Sequence, residues 1–215
     1  MITDLGRGPI VSAAQQIISI PTHVVFSWLL AGCGGGEEGL ADLGTTRPIP
    51  SGSSIFAGLV AEGDHLDDLW DGEPFTAPAT LPISGSATFE GAMLMAVNVN
   101  AVETPLAGKI TAVANFGAGD MSVNVANIHN GAGQAYSGAL AATGISIDRA
   151  ASPAIEPTFV GTLSGRLTGP NTLQITAQLS GDFIGTGYVG IKGVVDGAVT
   201  TPGGAGLFYG GFWAD

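Results

Sequence analysis

The sequence predicts an all-β chain, a single antiparallel up-and-down β-barrel of about eight strands behind a disordered or signal-peptide N-terminus. Three observations predict it. Glycine supplies 35 of the 215 residues and only 11% of residues are charged, a composition that disfavours helices, whose interiors glycine weakens and whose faces carry charged pairs. From Ile83 onward apolar and polar residues alternate with the period of a half-buried strand. The alternating runs are joined by short connections with no helical crossover, which makes sequence neighbours antiparallel. Long strands with interior glycines tend to close into a barrel, because closure removes exposed edges and glycine relieves crowding at bends.

The elements follow in order. A short run at Ile55 to Val60 is expected as a weak first strand. "SGSATFEGAMLMAVNVN" places Ala87, Phe89, Gly91, Met93 and Met95 on one face and Ser86, Thr88, Glu90 and Ala92 on the other. "GKITAVANFGAGDMSVNVANI" is a hairpin, with Gly117-Ala118-Gly119 supplying the positive φ of a tight turn. A further run spans Tyr136 to Ile147. "FVGTLSGRLTGPNTLQITAQLSG" repeats the hairpin around Thr168-Gly169-Pro170-Asn171, and two last runs cover Gly187 to Val195 and Gly206 to Trp213. The expected core is Phe89, Met93, Val113, Phe116, Val123, Leu163, Ile175, Tyr188, Val194 and Phe208, each contributing about 1.5–3 kcal/mol when fully buried.

The N-terminal third differs. Ile10 to Ala31 is apolar on average but is broken by Gln15, Gln16, Pro21 and His23, so it falls short of the ~20 consecutive apolar residues of a spanning helix. Its clean part, Val24 to Ala31, has the length of a signal-peptide core. Leu30-Ala31-Gly32-Cys33 then resembles the lipobox of bacterial lipoproteins. The resemblance implies cleavage before Cys33, the only cysteine of the chain, and a diacylglycerol on its thiol that ties the protein to a membrane. Residues 1–32 are thus expected as a lipoprotein signal peptide, 33–54 as a flexible Gly/Ser-bearing tether, and 55–215 as the barrel. The absence of Asp after Cys33 points, within lipoproteins, to the outer membrane and the cell surface.

Charge and motif content exclude several classes. The formal charge is −12, and only Lys109, Arg149, Arg166 and Lys192 are basic beyond residue 50, so nucleic acid is not an expected partner. One cysteine supports neither a disulfide framework nor a thiolate-rich metal site. The acidic stretch "AEGDHLDDLWDGEPF" puts apolar residues where a calcium loop needs ligands, and is expected as a solvated loop or helical turn that carries Trp70 to the barrel end. His129, between Asn127 and Asn130, fits a strand-to-loop turn, and no nucleophile–base pairing emerges, so no enzymatic activity, cofactor or metal is expected. Binding residues are sought in the loops Leu66 to Phe75, Asn130 to Tyr136 and Ala150 to Glu156, with Asp67, Asp68, Trp70, His129 and Tyr136 as candidates.

"GSATFEGAM" (Gly85 to Met93), "ANFGAGDMSVNV" (Ala114 to Val125), "FVGTLSG" (Phe159 to Gly165), "LSGDFIGTGYVGIKGVVDG" (Leu179 to Gly197) and "GLFYGGFWAD" together resemble the barrel of transferrin-binding protein B and its relatives. The resemblance covers roughly residues 83–213 and fits the single-barrel, solute-binding lipoprotein branch. It implies an eight-stranded barrel displayed by a Gram-negative bacterium as a binding module for a host or iron-related protein or a solute. Transferrin itself is not implied, since no transferrin-contacting residue maps onto this chain. Two alternatives stay open at this point: a structural or adhesive lipoprotein, and a small integral outer-membrane barrel.

Overall fold

The computed structural model of the chain describes residues 52–153 and 155–215. Cys33, and with it the expected lipobox and signal-peptide segment, lies outside the described residues. The described part is an antiparallel barrel of eight strands with one helix and a ninth, two-residue strand. The strands are β1 (Ser86–Val99), β2 (Val102–Asn115), β3 (Asp120–Asn130), β4 (Ala135–Tyr136), β5 (Leu140–Ile147), β6 (Phe159–Thr168), β7 (Thr172–Ile184), β8 (Gly190–Thr201) and β9 (Gly204–Ala214). Apart from β4, each strand pairs with its sequence neighbours, and β1 pairs with β9 to close the cylinder. The up-and-down barrel expected from the alternation is therefore the fold. Short β4 pairs with β3 alone, so the single run expected at Tyr136 to Ile147 is broken at residues 137–139.

Register decides which residues fill the interior. Cα partners on adjacent strands share a face, and partners alternate in and out along the strand. Phe89 lies opposite Ala112, and Met93 opposite Gly108 and Phe212, all on the inner face. Eight of the ten expected core residues, from Phe89 to Phe208, pack inward, with Tyr188 only partly buried. Val113 and Val194 do not. Val113 is the partner of Thr88 and Ser122, and Val194 the partner of Ser180 and Gly211, so both point outward and are exposed. Apolar character suggested the core for both, but strand parity overrules it.

The inner face holds an aromatic cluster. Phe183 is central, with ring centroids 5.9 Å from Phe89, 6.0 Å from Phe116 and 5.6 Å from Phe159. Two inward glycines make room for these rings. A Cβ at Gly181, the partner of Phe159, would come within 2.8 Å of that ring, and one at Gly193, the partner of Phe212, within 2.5 Å. Large rings beside glycines keep the interior filled without crowding.

The largest departure from expectation is α1 (Gly52–Trp70), which replaces the expected strand at Ile55 to Val60, extends the helical turn that is one of the two expectations for the acidic stretch, and takes Gly52 to Ser54 out of the tether. Its buried residues are Leu59, Gly63, Leu66 and Trp70, spaced four, three and four apart, one stripe of a helix. The stripe lies on the outside of β1, β2, β3 and β9. There the wall is built from small residues: Ala92, Ala96 and Ala107 are buried although they face outward. Gly63 fits against Leu94 and Ala92, where a Cβ would sit 3.1 Å from a Leu94 methyl. Small residues on both partners allow the helix axis to approach the wall closely.

After α1 the chain finishes one end of the barrel. Phe75 pairs with Ile184, and the Thr76 amide donates to the Phe183 carbonyl at 2.8 Å. Leu81 then enters the core. The Arg149 guanidinium donates to the carbonyls of Leu81 at 2.7 Å, Phe116 at 3.2 Å and Pro82, tying this segment to the β2–β3 and β5–β6 connections. The opposite end carries the β1–β2, β6–β7 and β8–β9 turns. In the first of these Asn100 and Ala101 both adopt left-handed backbone, with φ of 53° and 62°, the signature of a two-residue type I′ hairpin.

Candidate functional site

A groove of about 450 Å³ runs along the outer wall near the closed end. Strand geometry builds its floor. Ser180 on β7 and Val194 on β8 are register partners that face outward and line it. One side is formed by the end of α1 and the chain beyond it, through Asp67 and Phe75, and the other by the β5–β6 connection, through Ile155 and Glu156. Ile155 is 82% exposed and Val194 52%, and Phe75 is also exposed. Phe75, Ile155 and Val194 thus leave apolar surface open to water within the groove.

Polar groups at the groove are held in place. The indole nitrogen of Trp213 donates to Asp67 at 2.7 Å, joining β9 to the last turn of α1. Lys192 stands 5.6 Å above the centre of the Phe75 ring and donates to the Trp70 carbonyl at 3.5 Å. Asp182, the register partner of Lys192, accepts from the Thr158 amide at 2.8 Å and its hydroxyl at 2.7 Å.

Burial raises the Asp182 carboxyl above its ordinary value of 3.8, against smaller lowering effects from Thr158 and Lys192. The folded protein therefore holds this proton more tightly than the unfolded chain does. The stability linked to that proton is present below the ordinary carboxylate value and is lost as pH rises from there through the folded-state value. Asp182→Asn keeps an oxygen for both Thr158 donors and removes the titration. Urea midpoints are expected to favour the variant at about pH 7, with the difference closing at about pH 3. Parallel pH dependence in the two proteins would contradict the assignment.

The expected site residues divide between the two ends. Asp67 reaches the groove, whereas Asp68 is exposed on α1. Asp64, one turn before, has its carboxyl raised by partial burial and by the charges of Asp68 and Asp67. Trp70 ends the helix, the helical one of the two expected settings; it is buried beside Ile184, and its ring occupies the space that a Cβ at Gly190 would take. His129 and Tyr136 are strand residues, both buried. His129 Nε2 lies 3.1 Å from Asn127 Oδ1, and its Nδ1 is buried without a partner among the described residues. Beside it Asn130 clamps the turn, donating to the Gln134 side chain at 2.9 Å and accepting from its amide at 2.8 Å.

Of the three loops expected to bind, Leu66 to Phe75 and Ala150 to Glu156 meet at the groove, and Asn130 to Tyr136 lies at the far end. Lys192, Trp213, Asp182 and Val194 are groove residues that the loop search missed, because they sit on strands. Strand alternation around "DFIGTGYVGIKGVV" carries the signal for Asp182, Lys192 and Val194, since all three share one parity across the β7–β8 register. Among the described residues no cluster of three His, Cys, Asp or Glu is placed to hold a metal ion, and no helix is long and apolar enough to cross a membrane. No protein-family model and no curated protein matches the chain.

Proposed function

We propose that the protein is a non-catalytic, lipid-anchored binding module of a Gram-negative cell surface, similar in plan to the single-barrel relatives of transferrin-binding protein B. The observation that carries the binding reading is the groove, where Phe75, Ile155 and Val194 are exposed together. Grouped exposed apolar side chains are a feature of protein-interaction surfaces, and a packed barrel is a rigid support for them. The anchor is Cys33, on the strength of the Leu30-Ala31-Gly32-Cys33 resemblance. The partner of the groove is another protein, with Ile155 and Trp213 as the central contacts.

The outer wall supports a barrel that faces water. Gln174, Thr176 and Gln178 on β7, and Asp196 and Thr200 on β8, are exposed, while the interior is apolar. A barrel embedded in lipid carries the reverse pattern, apolar outside and polar within.

Two measurements test the reading. Lipid labelling and protease accessibility in whole cells are expected for the natural protein and expected to be lost in Cys33→Ala; labelling of neither protein would remove the anchor. Surface crosslinking is expected to trap a partner, and Ile155→Lys is expected to weaken that capture at least about ten-fold, the effect of a central interface residue. Capture that is indifferent to Ile155→Lys would remove the groove from the binding surface.

A further inference from the structure

The two ends of the barrel are finished differently. At the closed end Leu81 and the ring cluster around Phe183 fill the interior, and Arg149 fastens the covering segment. At the other end the space between the β6–β7 and β8–β9 turns is left as a cavity of about 460 Å³. That volume falls in the range of about 300–1,000 Å³ typical of small-molecule sites.

The chemistry of the lining restricts what fits there. Val97, Val99 and Leu173 form an apolar wall, while Thr104 and Asn171 offer polar groups. Tyr136 stands at one side. Its ring is buried and lies against Gly169, where a Cβ would come within 2.8 Å of it. Among the described residues none that lines the cavity is charged, in a chain of formal charge −12. A charged ligand would lose hydration there without meeting a counter-charge.

We infer that this mouth binds a small uncharged amphipathic molecule, its apolar part against Val97, Val99 and Leu173 and its hydrogen-bonding groups toward Thr104 and Asn171. The packed Tyr136 ring gives the ligand a preformed surface, which lowers the ordering cost of binding. The site lies at the opposite end from the groove and stands independently of the reading given above.

The test compares two probes of one shape and different charge, using the full chain. N-phenyl-1-naphthylamine is uncharged, and 8-anilino-1-naphthalenesulfonate is its sulfonated counterpart. Fluorescence titration is expected to give saturable one-to-one binding of the uncharged probe, at least about ten-fold tighter than the sulfonate. Thr104→Trp, which narrows the mouth, is expected to weaken the uncharged probe at least about ten-fold, while Ile155→Lys in the groove leaves it unchanged. Equal affinity for both probes, binding indifferent to Thr104→Trp, or no saturable binding would overturn the inference. If Thr104→Trp unfolds the barrel, amide shift mapping on the natural chain replaces it. Perturbations confined to residues 97–104, 136, 169–173 and 201–203 support the site, and perturbations elsewhere overturn it.

Discussion

Phe183→Ala is expected to lower the stability of the barrel by about 3–5 kcal/mol, the usual effect of deleting a fully buried aromatic ring. Phe183 is completely buried and contacts the rings of Phe89, Phe116 and Phe159 from three different strands or turns. The loss has two parts: the transfer free energy of the ring, and a cavity that the surrounding strands cannot close. They cannot close it because each is pinned by ladder hydrogen bonds on both sides, and the cylinder has no free edge to move inward. The edge-on contacts with Phe89 and Phe159 add a share beyond area, on the order of 0.5–1.5 kcal/mol per pair. In a domain of this size the melting temperature should fall by roughly 6–20 °C. An unchanged melting temperature would mean that the ring cluster is not the centre of the core.

Trp70→Ala is the second large effect, expected at about 3 kcal/mol or more. Trp70 is the last buried residue of the α1 stripe, and its ring is packed beside Ile184 and over Gly190. Its removal loosens the C-terminal end of the helix, where the Asp67–Trp213 hydrogen bond and the Lys192 contact with the Trp70 carbonyl also hold. Groove and helix should therefore weaken together. Trp70→Phe is expected to behave differently. The Trp70 indole nitrogen is buried with no partner among the described residues, so deleting it removes a desolvated donor while most of the ring volume remains. A loss below about 1.5 kcal/mol is expected for that variant. Thermal unfolding followed by the helical circular-dichroism signal separates the cases, and equal stability of Trp70→Ala and the natural protein would show that the helix is not docked through this residue.

Much of this was legible in residue order. The alternation of "SATFEGAMLMAV" names Phe89, Met93 and Met95 as inward residues, and they are. Gly117-Ala118-Gly119 marks a turn, and there the Gly119 amide bonds the Asn115 carbonyl at 2.9 Å and Gly119 takes a φ of 72°. The helix was harder to see because its packing stripe includes a glycine: Gly63 reads as a helix breaker in sequence, yet it is the residue that lets α1 lie against Leu94. Only the wall of small residues opposite it explains why glycine is favourable there. The acidic residues Asp64, Asp67 and Asp68 obscured the length of the helix further, since their clustering left a solvated loop as open as a helical turn.

By itself the sequence determined the strand period, the antiparallel order and most of the inward-facing residues, because side-chain alternation and turn chemistry are local properties of the backbone. The tertiary structure decided what depends on register across several strands. It turned Val113 and Val194 outward, laid α1 along the outer wall, and brought Phe75, Ile155 and Lys192 to one groove although they lie far apart in the chain. It also sealed one end of the barrel and left a cavity at the other. Closure of the cylinder is the physical reason: once β1 meets β9, every strand has a fixed height and facing, and residues distant in sequence become neighbours at positions that no local pattern records.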